Sequence, residues 1–483
     1  VEAPEKYDIT NQTYYFGIGG SREAPEGLVL SQVQSLGGSY SDYIESVAET
    51  SDGGYIVGGY FDSSNIKVGD YTLTNNGTYE KEDGLIIKYS AEGEVEWAKN
   101  IGGSSYDYIQ SVASTNDGGV IAGGYFVSST IQVEDYTLTS NGGYDGLIIK
   151  YNAEGEVEWA KNIGGSDDEH INSVAGTSDG GYIVGGYFKS KTIQVGDYTL
   201  TNNSSSTSYS DGLIIKYSAE GEVEWAKSFG RGDYEEVNFV AETSDGGAIA
   251  GGYFESKTIQ VGDYTLTING DSDGLIIKYS AEGEVEWAKN IGGSRSDYIE
   301  SVAGTSDGGY IVGGTFYSST IQVGDETLTN NGGVDGLIIK YSAEGEVEWA
   351  KNIGGSSYDC IQSVASTSDG GIIAGGYFES KTIQAGDYTL TNNGGYDGLI
   401  IKYGSEGKVE WARNIGESGS AYIQSVVSTR DGGYIAGGDF YNSIQVGDYF
   451  LTSNENVNGL IIKYEMQEID NPVVTNAKDI GER

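Results

Sequence analysis

The sequence predicts an all-β fold, a seven-bladed β-propeller, and three observations support this prediction. Two blocks of sequence, DGGxIxGG and GLIIKY, each occur seven times in alternating order. No helical periodicity interrupts them, and each repeat has the pattern of four strands and a small hairpin. The last repeat lacks a final strand, while a spare strand precedes the first. A closed ring of seven units accounts for all three observations.

The repeats are evenly spaced. The GLIIKY copies begin at Gly84, Gly146, Gly212, Gly274, Gly336, Gly398 and Gly459. Tryptophan recurs every 62 residues, with one interval of 66 that contains the insertion NNSSSTSYS at 202–210. This period exceeds the ~40–50 residues of most propeller blades, and the embedded hairpin accounts for the excess. An open solenoid is the rival fold, but the period is long for one coil and the matched ends would be a coincidence.

Each element of the repeat has its own signal. In the first strand, YIQSVAST, apolar and polar residues alternate, and Asp-Gly-Gly then predicts a tight turn. The second strand, YIVGGYF, carries paired glycines that allow a neighbouring sheet to approach closely. The segment TIQVGDYTLT predicts a hairpin that turns at Gly-Asp. GLIIKYS, the turn AEGE and VEWAKNIGG complete the unit, and we expect the tryptophan to pack between blades.

The two ends of the chain predict how the ring closes. Placing residues 28–36 beside 459–464 completes the last blade and removes the open edge of a linear array. Gln32 then occupies the tryptophan position, so this strand must pack differently. The predicted boundaries are an N-terminal extension at 1–26, the propeller at 27–465 and a C-terminal tail or linker at 466–483.

Composition excludes several partners and sites. The net charge of −45 makes nucleic acid and anionic membranes poor partners, whereas cations, cationic proteins and neutral sugars remain possible. No stretch is apolar enough to insert into a membrane. The single Cys360 excludes an intramolecular disulfide, and the lone His170 excludes a multi-histidine metal site. We expect Cys360 to be an incidental buried thiol and His170 to lie in a surface loop.

Seven turn aspartates are the candidate cation ligands. They are Asp52, Asp117, Asp179, Asp245, Asp307, Asp369 and Asp431. Calcium needs six to eight oxygens at one point, and these carboxylates belong to separate blades. We therefore predict that each aspartate caps its own Gly-Gly turn. No cofactor is expected, and calcium is the weaker alternative.

The stretches in which the repeats differ predict a ligand-binding face. One precedes the first strand and the other precedes GLIIKY, and both connections emerge on the same face of a propeller. They carry tyrosine among small polar residues, a composition that antibody loops use for recognition. Drift in unconstrained loops is the equal alternative. The candidate ligand-face residues are Tyr106, Asp107, Tyr144, Asp145, Tyr234, Tyr298, Tyr358 and Tyr396.

The motifs SVAGTSDGGYIVGGTF and DGLIIKYSAEGEVEWAKNIGG resemble the bacterial β-propeller repeats of the SBBP type. The resemblance covers about residues 28–464. It implies a propeller on a secreted or cell-surface bacterial protein, and it implies no enzymatic activity. The tail at 468–483 resembles a linker to a further module.

The sequence therefore predicts a non-catalytic extracellular protein that serves adhesion or recognition through its long-loop face, with a glycan or a surface protein as partner. The alternative is a structural spacer or a self-associating protomer of a surface layer or filament. A glycosidase-like enzyme is the third hypothesis. TSDGG is similar to the Asp-box of sialidases, but the chain has no arginine cluster in one repeat register, and proximity among 72 acidic residues is uninformative.

Overall fold

The computed structural model describes residues 14–15, 27–77, 81–204 and 206–467. Seven antiparallel sheets, each with four main strands, form blades around a central channel that residues from all seven innermost strands line. The blades are numbered 1 to 7 in the chain order of their innermost strands. The predicted seven-bladed β-propeller is confirmed. The described residues contain no helix that could span a membrane.

The inner half of each blade consists of two strands. The innermost strands are Asp42–Glu49, Asp107–Ser114, Glu169–Gly176, Glu235–Glu242, Asp297–Gly304, Asp359–Ser366 and Ser420–Ser428. The second strands are Tyr55–Phe61, Val120–Phe126, Tyr182–Phe188, Ala248–Phe254, Tyr310–Phe316, Ile372–Phe378 and Tyr434–Val446. Tight Asp-Gly-Gly turns join each pair, as the sequence predicts.

The outer half of each blade also consists of two strands. The third strands are Asp83–Tyr89, Asp145–Tyr151, Asp211–Tyr217, Asp273–Tyr279, Asp335–Tyr341, Asp397–Tyr403 and Tyr449–Met466. The outermost strands are Val95–Ile101, Val157–Ile163, Val223–Phe229, Val285–Ile291, Val347–Ile353, Val409–Ile415 and Leu28–Leu36. The third strands are buried on both faces, which explains their continuous apolar run.

The expected hairpins pack against the outer strands. They are Asn65–Val68 with Tyr71–Thr74, Thr130–Val133 with Tyr136–Thr139, Thr192–Val195 with Tyr198–Thr201, Thr258–Val261 with Tyr264–Thr267, Thr320–Val323 with Glu326–Thr329, and Thr382–Ala385 with Tyr388–Thr391. In blade 7 the hairpin is continuous with the two long strands. The Tyr71 hydroxyl donates to the Glu96 carbonyl oxygen at 2.7 Å, so the hairpin is fastened to its own blade.

A strand from the N-terminal part of the chain closes the ring. Leu28–Leu36 pairs antiparallel with Tyr449–Met466, which confirms the predicted closure. Tyr14–Tyr15 adds a short outer pair to the same sheet. Gln32 lies opposite Lys463, where the other blades place tryptophan opposite lysine. The Tyr55 hydroxyl of blade 1 donates to Gln32 at 2.7 Å, so a polar contact replaces the indole at this junction.

Hydrogen bonds join the innermost strands into a belt. At six of the seven junctions, a serine hydroxyl accepts a hydrogen bond of 3.0–3.1 Å from a valine amide of an adjacent blade. The serine–valine pairs are Ser46–Val112, Ser111–Val174, Ser173–Val240, Ser301–Val364, Ser363–Val426 and Ser425–Val47. Phe239 replaces the serine between blades 4 and 5. The belt fixes the spacing of the blades at the channel.

Each of the two paired glycines of the second strand is required for a different reason. A Cβ on Gly58 would lie 2.7 Å from Val112 of the next blade, so the first glycine permits close blade packing. A Cβ on Gly59 would lie 2.0 Å from the Tyr43 carbonyl oxygen, at the bulge of the innermost strand. The predicted close approach is confirmed.

The tryptophans pack between blades, as expected. Trp97 lies 5.6 Å from Tyr151 of the next blade, measured between ring centroids. Its indole N–H donates to the Ala153 carbonyl oxygen at 3.2 Å. Trp225 and Trp349 make the same bond to the next blade.

Neighbouring blades nevertheless differ in the residue that begins the second strand. The second strand begins with tyrosine in blades 1, 3, 5 and 7 (Tyr55, Tyr182, Tyr310 and Tyr434) and with a smaller residue in blades 2, 4 and 6 (Val120, Ala248 and Ile372). Trp159 and Trp287 face Tyr182 and Tyr310 edge-on, and their indole N–H groups have no partner among the described residues. The tryptophans of blades 1 to 5 therefore adopt two arrangements in strict alternation.

Each turn aspartate caps its own turn, as the sequence predicts. In blade 1, Asp52 accepts hydrogen bonds from the Gly54 amide at 2.9 Å and from the Thr50 hydroxyl at 2.6 Å. Its carboxylate also binds Lys88, whose side chain is only 1% exposed and which pairs with Glu96 as well. Burial raises the pKa of Asp52, but these bonds outweigh burial and lower it to about 2. The buried lysine is a partner that the sequence did not indicate.

We expect Asp307→Ala to destabilise the protein by about 3 kcal/mol, because it leaves the buried Lys340 with one carboxylate, Glu348, instead of two. Asp431→Ala is the matched control. In blade 7 the lysine donates to the Ala91 carbonyl oxygen and pairs with Glu465. Urea unfolding of both variants measures the difference. Equal losses for the two variants would show that the turn cap alone, and not the lysine, provides the stability.

Candidate functional site

Fourteen side chains, two from each blade, surround one mouth of the channel and are named the collar. Those on innermost strands are Tyr43, Tyr108, His170, Glu236, Tyr298, Cys360 and Tyr422. Those opposite them on second strands are Tyr60, Tyr125, Tyr187, Tyr253, Thr315, Tyr377 and Asp439. All nine tyrosines are half-buried, which leaves part of each ring accessible.

The collar rings contact each other within and between blades. Tyr43 stacks on Tyr60 with centroids 4.8 Å apart, and Tyr60 meets Tyr108 of blade 2 edge-on at 4.7 Å. Tyr108 continues to Tyr125 at 4.8 Å and Tyr125 to His170 at 3.8 Å. Edge-to-face and offset pairs of this kind are favourable and rigid. The collar is therefore a preorganised aromatic surface.

A polar channel wall lies directly inside the collar. The cavity here has a volume of about 200 Å³. It is lined by Glu45, Ser46, Gln110, Ser111, Asn172, Asn238, Phe239, Glu300, Gln362, Ser363, Gln424 and Ser425. Collar and wall are bonded to each other: Tyr60 hydrogen-bonds to Glu45, and Gln424 to Asp439. Neither set contains a lysine or an arginine, so every formal charge among these side chains is negative. Outside the two sets, Lys189 is close enough to act on Glu236 and His170.

Four carboxyl groups of the mouth hold their protons unusually tightly. Burial raises the pKa of Glu45, Glu300 and Asp439 to about 7 each. Glu236, which hydrogen-bonds to Tyr253, is likewise raised to about 7 by burial. A nearby negative charge on Glu45 adds to the effect at Asp439. At neutral pH the channel mouth is therefore only partly ionised.

The predicted ligand-face tyrosines lie on or around the collar. Tyr298 belongs to it, and Tyr106, Tyr144, Tyr358 and Tyr396 contact collar rings at centroid distances of 5.1–6.4 Å. Tyr234 stands apart and meets Tyr209 at 5.2 Å. The Glu169 amide donates to the Tyr144 carbonyl oxygen at 2.7 Å, so the two variable connections do share one face.

The predicted Asp107 and Asp145 have a different position. Both are fully buried beneath the loops. Asp107 accepts hydrogen bonds from the Gly103 and Ser128 amides at 2.8 and 3.2 Å, and Asp145 accepts one from the Asn141 amide at 2.9 Å. The geometry gives both carboxylates a positioning role, because they join the backbone of the two variable connections.

The expectation for His170 was wrong. It lies within the innermost strand Glu169–Gly176 and not in a surface loop. Its ring is enclosed by Tyr125 at 3.8 Å and Tyr187 at 4.7 Å. Burial lowers its pKa to about 4, so the imidazole is neutral at physiological pH. Cys360 is a buried thiol, as expected, although it occupies a collar position.

Sequence reasoning missed most of the collar. Tyr60, Tyr125 and Tyr377 lie in the block GGYF, which hardly varies, whereas the search for a ligand face followed the variable stretches. The available signal was the tyrosine that directly follows a buried aspartate on three innermost strands, at Tyr43, Tyr108 and Tyr298.

Among the described residues, no group of three or more His, Cys, Asp or Glu side chains is placed to hold a metal ion. The turn aspartates lie on separate blades and bind lysine in six of them.

Two curated proteins are distantly similar to this chain. The chain is similar to an uncharacterised WD repeat-containing protein of Acanthamoeba polyphaga mimivirus, at 23% identity over 469 residues, covering 79% of this chain and 33% of that protein. It is also similar to the regulatory protein FlaEY of Caulobacter vibrioides, at 21% identity over 429 residues, covering 85% and 44%. The chain thus spans less than half the length of either relative.

This chain is a β-propeller repeat protein. No family model matches it. The WD40 propeller domain of Doa1 superposes with a TM-score of 0.46 at 13% identity, covering 92% of this chain and 98% of that one. Every tryptophan of this chain is followed by alanine, so the Trp-Asp dipeptide that gives WD repeats their name is absent.

Proposed function

We propose that this propeller is a non-catalytic recognition module, displayed outside the cell, that binds a glycan or a surface protein through the collar and the loops around it. The observation that carries the proposal is the rigid ring of half-buried tyrosines at one mouth. Tyrosine supplies large contact area at low conformational cost, and it stacks on sugar faces as well as on protein side chains.

The carboxyl groups of the mouth support binding in preference to glycoside hydrolysis. A glycosidase needs one carboxyl that is protonated and one that is ionised, held in unlike environments. Glu45 and Asp439 interact, and burial raises the pKa of both carboxyls, so their environments are alike. Two of the described arginines lie away from the mouth: Arg413 stacks on Trp411 of an outermost strand, and Arg430 pairs with Glu49.

A glycan array probed with the purified chain, with calcium and with chelator, tests the proposal. We expect a saturable ligand whose binding falls at least tenfold in Tyr144→Ala and Tyr396→Ala, a change of about 1.4 kcal/mol. Tyr198→Ala is the matched control, because Tyr198 is 37% exposed on a rim hairpin away from the collar. Binding of the same variants to intact cells tests whether the partner is a surface protein.

The spacer alternative gives a different result. This alternative predicts no binding to the glycan array or to intact cells. It also predicts ordered particles that form with increasing protein concentration, as measured by sedimentation and electron microscopy. Equal loss of binding in all three tyrosine variants would point to general destabilisation instead of a ligand face.

A further inference from the structure

One junction of the collar differs from the others. At the contact between blades 7 and 1, Asp439 stands where five of the other blades have tyrosine, and it is only 5% exposed. Glu45 of blade 1 lines the channel together with Gln424, which hydrogen-bonds to Asp439, and the charges of the two carboxyls interact. No described lysine or arginine forms an ion pair with either residue. Two carboxyls therefore share this junction, and no described cation pairs with either of them.

Aromatic rings enclose the same two carboxyls. Tyr60 hydrogen-bonds to Glu45 and stacks on Tyr43, and Tyr422 lies directly opposite Asp439 in the sheet. Ring faces attract ammonium and guanidinium groups, and the attraction grows when the cation is desolvated. Carboxylates combined with tyrosine faces suit an organic cation.

The size and donor set of the junction restrict the occupant further. The channel cavity of about 200 Å³ is smaller than the usual pocket for a whole small molecule, which begins near 300 Å³. It accommodates a single long side chain. Two carboxyls also fall short of the six to eight oxygens that calcium takes. Lysine has a flexible, unbranched side chain, so it can reach into such a channel with its ammonium group at the tip.

We propose that the channel mouth receives a lysine side chain from a basic segment of a partner protein, with its ammonium group between Glu45 and Asp439. The inference rests on the proposed recognition function and names its partner class. Acidic residues around the collar, Glu82, Glu255 and Glu379, would attract the flanking basic residues, and the net charge of −45 would accelerate the encounter.

Fluorescence anisotropy with a labelled Gly/Ser peptide that carries a central run of lysines tests this inference on the full chain. The comparison peptide has norleucine in place of lysine, which keeps the stem and removes the charge. We expect saturable binding of the lysine peptide, with Kd at least tenfold higher for the variant Glu45→Gln/Asp439→Asn. Glu154→Gln/Glu282→Gln is the matched control, since it removes the same number of carboxylates from two exposed AEGE turns outside the mouth and should leave Kd within about twofold.

Three results would overturn the proposal: no binding of the lysine peptide, equal binding of the norleucine peptide, or an effect of Glu154→Gln/Glu282→Gln as large as that of Glu45→Gln/Asp439→Asn. Thermal unfolding of each variant confirms that it is folded. A glycan that binds and requires Tyr144 and Tyr396, while the lysine peptide does not bind, would refute the lysine site and leave the recognition function standing. If the chain binds no glycan, no cells and no lysine peptide, both the lysine site and the recognition function are refuted.

Discussion

Deletion of residues 1–36 is expected to destroy cooperative folding of the whole ring. The deletion removes the strand Leu28–Leu36 and uncovers the edge of Tyr449–Met466. Leu28, Val33 and Leu36 are at most 6% exposed, and burying each side chain of this type contributes about 1.5–3 kcal/mol. The expected loss of about 5–8 kcal/mol, before any ladder hydrogen bonds, is comparable to the entire stability of many domains.

Differential scanning calorimetry and light scattering measure the effect. We expect the truncated chain to lose its sharp transition and to aggregate, because an exposed apolar strand edge pairs with other chains. Deletion of residues 1–26 is the control, since it retains the closing strand and should shift Tm by only a few degrees. A sharp, unshifted transition in the chain that lacks residues 1–36 would contradict the closure mechanism.

The second large effect is a gain in stability as the pH falls from 8 to 5.5. Glu45, Glu236, Glu300 and Asp439 have folded-state pKa values raised to about 7, well above the ordinary carboxyl value. The folded state therefore holds more protons than the unfolded state between about pH 4.5 and 7, and stability decreases as the pH rises through this interval. Each group contributes about 2 kcal/mol to the difference between pH 5.5 and 8.

At low pH the turn aspartates have the opposite effect on stability. The pKa of Asp52, Asp179, Asp245 and Asp307 is lowered to about 2, so the stability they provide is complete above about pH 4 and is lost as the pH falls toward 2. We expect maximal Tm near pH 4.5–5.5, measured at high salt to screen the general repulsion of the acidic surface. A variant with amides at 45, 236, 300 and 439 should narrow the gap between pH 5.5 and 8. An unchanged gap would place the effect in other carboxyls.

The repeat, its strands and the ring closure are predictable from sequence because each is encoded locally or by copy number. Gln32 illustrates this, since its register opposite Lys463 follows from counting along the closing strand. The role of Lys88 was not predictable in the same way. A lysine at the end of an apolar strand normally places its charge in solvent, and only the fold brings Asp52 and Glu96 to it from neighbouring strands.

The candidate site was predictable in part. Tyr144 and Tyr396 were indicated by variation between repeats, and both lie against the collar. The contact of Tyr60 with Tyr108 joins two blades. Such a contact depends on the radius of the ring, which no single repeat encodes. The Glu45–Asp439 junction depends further on which two blades meet where the ring closes.

The alternation of tyrosine and smaller residues at the start of the second strands has a consequence for the history of the chain. A pattern of period two indicates that the copied unit was a pair of blades, and pairs always add up to an even number. Seven is odd, so blades 7 and 1 are of the same kind, with Tyr434 and Tyr55. The junction between blades 7 and 1 is therefore the one place where two blades of the same kind meet. At this junction Gln32 stands in place of tryptophan and Asp439 in place of tyrosine. We infer that the gain or loss of a pair would conserve this junction, whereas the gain of one blade would abolish it.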